Sequence, residues 1–316
     1  MIPDFSGYLR PPAAPKGYHQ MDGAAYHAFP AVNSTLLKPP TQAEMLHGKM
    51  QPPEASDSKP ALVLGTLTHA VCLEPWKFGA DEWEKHFALC PTGALDTKAA
   101  AAERKLNPGK LLVTPDLLDL AVRIRHEAIE TNPDAIRYLS SPDGMKEATG
   151  IVWDPDFQCP RKMRVDYLPR NGAAFGNYLL DIKTTRKPLH EFEREAWKLG
   201  YYTQAAWYLD THELMTGHRP DMWVWLVVTN TEPFMSALYF MRNIPRGHVL
   251  YNEASKLRQA RERLGLDDSP RIGRLPAFLA AARETEALRA DGLELDQTTM
   301  RRVWTAYEQA GVQEIY

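Results

Sequence analysis

Asp181-Ile182-Lys183 sets an acid and an amine two residues apart within Tyr178 to Thr185, a stretch rich in apolar and β-branched residues. That composition predicts a buried strand, along which side chains alternate between faces. Asp181 and Lys183 then share one face, about 7 Å apart along the strand, with Leu180 and Ile182 on the other. Met163 to Leu168 reads as a neighbouring strand across the turn Pro169-Arg170-Asn171-Gly172. It sets Arg164 and Asp166 on one face and Val165 and Tyr167 on the other. Two carboxylates and an ammonium on strands that otherwise read as buried are expensive unless paired or bound to a cation. Phosphodiester hydrolysis suits them. Hard oxygen ligands select Mg²⁺ or Mn²⁺, which polarises a phosphate and acidifies bound water. A lysine alongside can stabilise the charge developing on the phosphoryl oxygens.

The flanking elements must aim these groups. Ser58 to Glu74 predicts a helix capped by Ser58, with Gly65 and His69 four apart on one face. Gly65 would let another backbone come close, with His69 projecting into the same space. Taken alone, His69 reads first as a hydrogen-bonded core histidine. Thr114-Pro115-Asp116 predicts a helix start, with Leu118, Ala121, Ile124 and Ala128 along one side up to Glu130. A short helix follows over Pro133 to Leu139. Glu147 opens a strand through Val152, and Asp154-Pro155-Asp156 turns it into the strand carrying Asp166. Leu189 to Met215 predicts one long helix whose stripe of Tyr201, Gln204, Ala205 and Tyr208 faces either a polar cleft or the core. Met222 to Val228 is the most apolar run and predicts a central strand, with Ser236 to Met241 as another.

The order Gly65-x-x-x-His69, Glu147, Asp166, Asp181-x-Lys183, Tyr201-x-x-Gln204-x-x-x-Tyr208, together with Asn33-Ser34-Thr35-Leu36 and Lys162 to Asp166, resembles the RecE-like (exodeoxyribonuclease VIII-like) nucleases of phages and prophages. These belong to the PD-(D/E)XK superfamily and are related to the RecB nuclease domain. The resemblance covers about residues 25 to 265. It implies an α/β fold with a restriction-endonuclease-like core, a central mixed β-sheet flanked by helices. It implies Asp166 and Asp181 as main metal ligands with the Ile182 carbonyl, His69 at a second metal, and Glu147 as an additional acid. Lys183 would be the catalytic lysine. Gln204, Tyr201 and Tyr208 would line the cleft, and Thr184, Arg186, Arg164 and Ser34 would contact DNA. The implied activity is 5′-to-3′ exonucleolysis of double-stranded DNA ends, by a ring-like homo-oligomer working with a single-strand-annealing (RecT-like) protein. An endonuclease on the same core, or a DNA-binding protein without chemistry, are the competing readings.

Composition narrows the classes. The 316 residues carry a net charge of −3 and 44% hydrophobic content, ordinary for a globular chain. A local basic excess over 242–274, eight Lys/Arg against four Asp/Glu, could flank phosphates. Three scattered cysteines, Cys72, Cys90 and Cys159, predict neither a disulfide framework nor an iron–sulfur cluster. No apolar run long enough for a membrane helix and no leader-like N-terminus are visible, so a cytoplasmic location is expected. No Gly-rich phosphate loop is present, which disfavours nucleotide metabolism. Residues 1–57 read as an N-terminal arm, 58–270 as the nuclease core and 271–316 as a helical extension.

Overall fold

The computed structural model describes residues 17–21, 23–29, 31–37, 59–141, 144–155, 159–169 and 177–242. Ser58, the basic stretch beyond Arg242 and the 271–316 extension lie outside the described residues.

A six-stranded sheet organises the rest. In chain order its strands are β1 (Tyr18–Gln20), β4 (Met145–Asp154), β5 (Cys159–Leu168), β6 (Tyr178–Thr185), β7 (Met222–Thr229) and β8 (Ser236–Arg242), and they lie side by side in that order. Only β6 and β7 run parallel; the other neighbours are antiparallel. Two short strands, β2 (Phe87–Leu89) and β3 (Leu111–Val113), make a separate parallel pair. The helices are α1 (Gly23–Ala28), α2 (Pro60–Leu73), α3 (Ala80–His86), α4 (Lys98–Leu106), α5 (Pro115–Arg123), α6 (Pro133–Leu139), α7 (Phe192–Lys198) and α8 (Tyr201–Thr216). No described helix is long and apolar enough to cross a membrane.

Strand alternation builds two apolar layers. Trp223, Trp225 and Val227 of β7 face Trp207, Ala205 and Leu209 of α8, while Val224, Leu226 and Val228 face α2 and α5 through Leu67, Val71 and Ala121. A strand buried on both sides reads as a continuous apolar run, which is why Met222 to Val228 was legible. The parallel β6–β7 pair needs a crossover, and α7 and α8 supply it.

Sequence signals at helix starts translate into local bonds. Thr114 Oγ1 accepts from Leu117 N (3.3 Å) ahead of Pro115. Asn132 Oδ1 accepts from Asp134 N and Ala135 N ahead of Pro133. Two expectations differ. The segment 189–215 is not one helix: Leu189–Glu191 forms a 3₁₀ turn, α7 stops at Lys198, and Gly200 turns the chain at φ 65°, a left-handed conformation glycine adopts freely. The α5 helix loosens into a π-helical stretch, Ile124–Ile129, instead of running on to Glu130.

The N-terminal residues are bound to the sheet. β1 pairs with β4, and Tyr26, Ala31 and Val32 are buried. Lys162 of β5, itself buried, donates through Nζ to the carbonyls of Tyr26 (2.7 Å), Phe29 (2.7 Å) and His27 (3.2 Å). It thereby caps the exposed carbonyls at the end of α1. Next to it, Arg161 pairs with Asp154 (3.0 Å) and lies over the Trp207 ring.

The same region holds a pH-sensitive contact. The Tyr18 hydroxyl is hydrogen-bonded to Nδ1 of His212 on α8 (2.6 Å). Burial, helped by nearby His218 and opposed by Glu213, pulls His212 down to about 4. The unfolded chain therefore binds a proton that the folded chain refuses between about pH 6.5 and 4, and stability falls as pH drops through that window. The expected loss is on the order of 2 kcal/mol. Thermal melts at pH 7 and pH 4.5 should show a smaller difference in His212→Gln, which keeps an acceptor for Tyr18 and cannot charge. An unchanged difference would assign the acid sensitivity elsewhere.

Candidate active site

The candidate site forms where β5 and β6 part. The two strands share one ladder position, Tyr167 with Leu180, and Asp166 and Asp181 are the next residues beyond it on their strands. There the Asp166 carboxylate replaces the missing strand partner: its Oδ2 accepts from Ile182 N at 2.6 Å. The amide and the carboxylate are both buried, so neither has water to fall back on.

α2 brings His69 over the same point. Its Nε2 donates to the Ile182 carbonyl at 3.0 Å, which turns Nδ1 toward Asp166 Oδ2 (3.5 Å) and Glu147 Oε1 (3.6 Å). Burial alone would lower His69, but the Asp166 and Glu147 carboxylates outweigh it and raise it to about 9. Asp166 is pushed up to about 7, first by burial and then by Asp181 and Glu147, with His69 pulling the other way. For Glu147, burial is overcome by His69 and Arg164, which hold it below the usual carboxylate range.

Glu147 has a backbone peculiarity. It lies within β4, not at its opening as expected, and adopts φ 51° between the paired residues Lys146 and Ala148. A left-handed non-glycine residue inside a strand costs on the order of 1–3 kcal/mol and is a mark of functional sites. This kink sits directly opposite Asp166. Arg164 Nε donates to Glu147 Oε2 at 2.5 Å and fixes the carboxylate.

Asp181 is held differently. Gln204 Nε2 of α8 donates to its Oδ1 at 2.8 Å, and Lys183 forms an ion pair with its Oδ2. The Lys183 ammonium also lies 4.9 Å from the centre of the Tyr201 ring. Burial opposes charge on Lys183, yet Asp181 and Asp166 raise its affinity for the proton. The ammonium is thus fixed as a cation beside the carboxylates.

These donors fit a hard divalent ion. One nitrogen of His69 and one oxygen each of Glu147 and Asp166 lie within 4.8 Å of one another. The Ile182 carbonyl adjoins them through His69. Asp181, expected beside Asp166 as a main ligand, lies outside this group and pairs with Lys183, while Glu147 lies inside it.

A cleft of about 520 Å³ opens beside these groups, walled by Gly65, His69, Ile182, Lys183, Thr184, Arg186 and Tyr201 among others. Several anticipated DNA contacts lie off its wall. Tyr208 is buried edge-on against Trp223. Ser34 is buried in a 3₁₀ turn, Ser34–Leu37. Arg164 is committed to Glu147. Gly65 does line the cleft, but a Cβ there would meet nothing nearer than Thr184 Oγ1 at 4.0 Å, so close backbone approach is not the reason for it. Sequence reasoning missed Thr185, Lys187, Glu195 and Asn230, which also line the cleft. The basic pair Arg186-Lys187, just past Thr184-Thr185, was a usable signal for Lys187; nothing in spacing marks Glu195 or Asn230.

A mixed sheet flanked by helices, with acids and a lysine where two central strands diverge, defines an α/β protein of the PD-(D/E)XK type. The family model for the PDDEXK-like domain of unknown function (DUF3799) matches residues 36–265, and the chain belongs to that family. Membership supports a nuclease, and His69, Glu147 and Asp166 form a group that could hold a metal ion. A crystal structure of a "Putative exonuclease" from Eubacterium rectale is similar at 15% identity, over 79% of this chain and 89% of that chain, with a TM-score of 0.47. No curated protein matches.

Proposed function

We propose that the protein is a metal-dependent deoxyribonuclease of the RecE-like kind, a 5′-to-3′ exonuclease acting on double-stranded DNA ends in phage-type recombination. The observation that carries this reading is the cluster of His69, Glu147 and Asp166 beside the Asp181–Lys183 pair, on the wall of an open cleft. A divalent ion held by those residues would supply a polarised phosphate and acidified water.

The chain's own groups do the rest. Lys183 presents a fixed positive charge to the phosphoryl oxygens, where negative charge grows during hydrolysis. Gln204 and Tyr201 keep it aimed, one by holding Asp181 and the other through its ring face. His69 ties α2 to the Ile182 carbonyl, so the helix and the strand move as one. Thr184 and Arg186 on the cleft wall offer a hydroxyl and a guanidinium to the phosphate backbone. In the same reading, residues 58–270 are the catalytic unit, Mg²⁺ is the metal with Mn²⁺ as substitute, and the enzyme works in the cytoplasm. It does so as a ring-like homo-oligomer with a single-strand-annealing partner.

End-labelled linear duplex and closed circular duplex, each with Mg²⁺ or with EDTA, test the proposal. Degradation of the linear DNA alone, abolished by EDTA, is the expected result. Cutting of the closed circle would make the enzyme an endonuclease. Binding to both without cleavage would leave a DNA-binding protein that has lost its chemistry.

A further inference from the structure

The cleft continues past Lys183. Along β6 it reaches Thr185, and beyond the strand end Arg186 and Lys187 stand on the same wall. β6 ends at Thr185 and the chain bends at 186–187, so Lys187 sits past the strand end while Lys183 stays within the strand. The two amines are held by different acids, Lys183 by Asp181 and Lys187 by Glu195.

Glu195 of α7 faces this outer stretch. Its Oε2 accepts from Thr185 Oγ1 at 2.9 Å, and its Oε1 lies 3.8 Å from Lys187 Nζ. Thr185 Oγ1 in turn accepts from Lys187 N at 3.0 Å, so the hydroxyl ties the turn to the acid. Lys187 is 48% exposed and Glu195 20%. Arg186 is exposed and has no side-chain partner among the described residues. At the far end, Asn230 N donates to the Thr185 carbonyl at 2.9 Å, and its buried Oδ1 has no hydrogen-bond partner.

We propose that Arg186 and Lys187 form a second phosphate subsite, separate from the phosphate that Lys183 would serve, and that Glu195 occupies it reversibly as a substitute anion. The proposal rests on the nuclease reading. An ion pair this exposed and this long is worth little, about 0–1 kcal/mol, so a phosphate between two cations displaces the carboxylate from Lys187. Glu195 keeps its bond to Thr185 while Lys187 turns to DNA. An acid in a DNA cleft costs affinity by repulsion. Its presence here makes binding weaker and faster to reverse, as an enzyme that moves along its substrate requires.

The test is fluorescence anisotropy of the full-length protein with a fluorescein-labelled duplex in EDTA, across a salt series. Glu195→Gln keeps an acceptor for Thr185 and should tighten binding several-fold. Lys187→Ala should weaken it several-fold and reduce the slope of log affinity against log salt by about 0.9 for one lost contact on duplex DNA. In steady-state cleavage with Mg²⁺, KM should follow these changes while kcat moves by less than about twofold. Unchanged affinity and salt slope in Lys187→Ala, or binding by Glu195→Gln that is no tighter, would overturn the subsite; so would failure of the wild-type protein to bind duplex at low salt. Salt-dependent binding altered as expected, with no cleavage by wild type, would remove the nuclease reading and leave the subsite standing.

Discussion

Lys183→Ala lowers DNA cleavage by about 10²–10³-fold, the typical cost of removing one preorganised charge at a developing oxyanion. Two structural facts make the expected loss this large. The ammonium is fixed from both sides, by the Asp181 carboxylate and the Tyr201 ring. It is also kept charged by its neighbours despite burial. Among the described residues Asp181 has no other ion-pair partner, and Arg186 lies beyond the end of β6, so no substitute steps in. The variant also leaves a buried carboxylate without its partner, which costs on the order of 3 kcal/mol. Melting temperature in EDTA should fall accordingly. Single-turnover cleavage together with duplex binding in EDTA checks the assignment. Full cleavage by a folded Lys183→Ala protein would end Lys183's candidacy.

Asp166→Asn moves stability and activity in opposite directions. The amide keeps an oxygen for the Ile182 N–H, so the local backbone is undisturbed. It removes a carboxylate that burial and two acidic neighbours have pushed up to about 7. A carboxylate raised in the fold is one the folded chain prefers protonated. It therefore costs stability that grows as pH rises from about 4 to 7 and stays lost above that. Asparagine escapes this cost but gives up part of the pairing with His69. The net expectation in EDTA at pH 8 is a rise of a few degrees in melting temperature. Mg²⁺ or Mn²⁺ should raise the wild-type melting temperature and leave that of the variant nearly unmoved, since binding to the folded state stabilises by mass action. Cleavage should drop at least 10²-fold. A variant that melts lower than wild type in EDTA, yet still responds to metal, would show that Asp166 is a structural anchor only.

Much of this was legible in the residues. The apolar run of β7 and the alternation of β6 are one-dimensional signals, and the sheet follows them. The chemistry-bearing residues announced themselves through cost: Asp181 and Lys183 have no business in a buried strand without a partner. The parts that did not show through depend on contacts distant in sequence. Tyr208 fits the stripe of Tyr201 and Gln204, but the turn of α8 against β7 sends its ring under Trp223. Glu147 gave no sign of its left-handed backbone, because that kink is imposed by the strands on either side. The break at Gly200 was visible as a glycine but weaker than the periodicity around it. In the proposed subsite Glu195 acts only through Thr185 and Lys187, and no local pattern encodes that triangle.

The ammonium of Lys162 has a consequence for how the chain can be handled or can evolve. Three main-chain oxygens near residue 27 are what make its burial tolerable, and it stands four residues before Asp166 on the same strand. The leading segment is therefore a rivet through the catalytic strand. A shortened version beginning after residue 37 would strand a charge in the interior and slacken the very backbone that holds the acid.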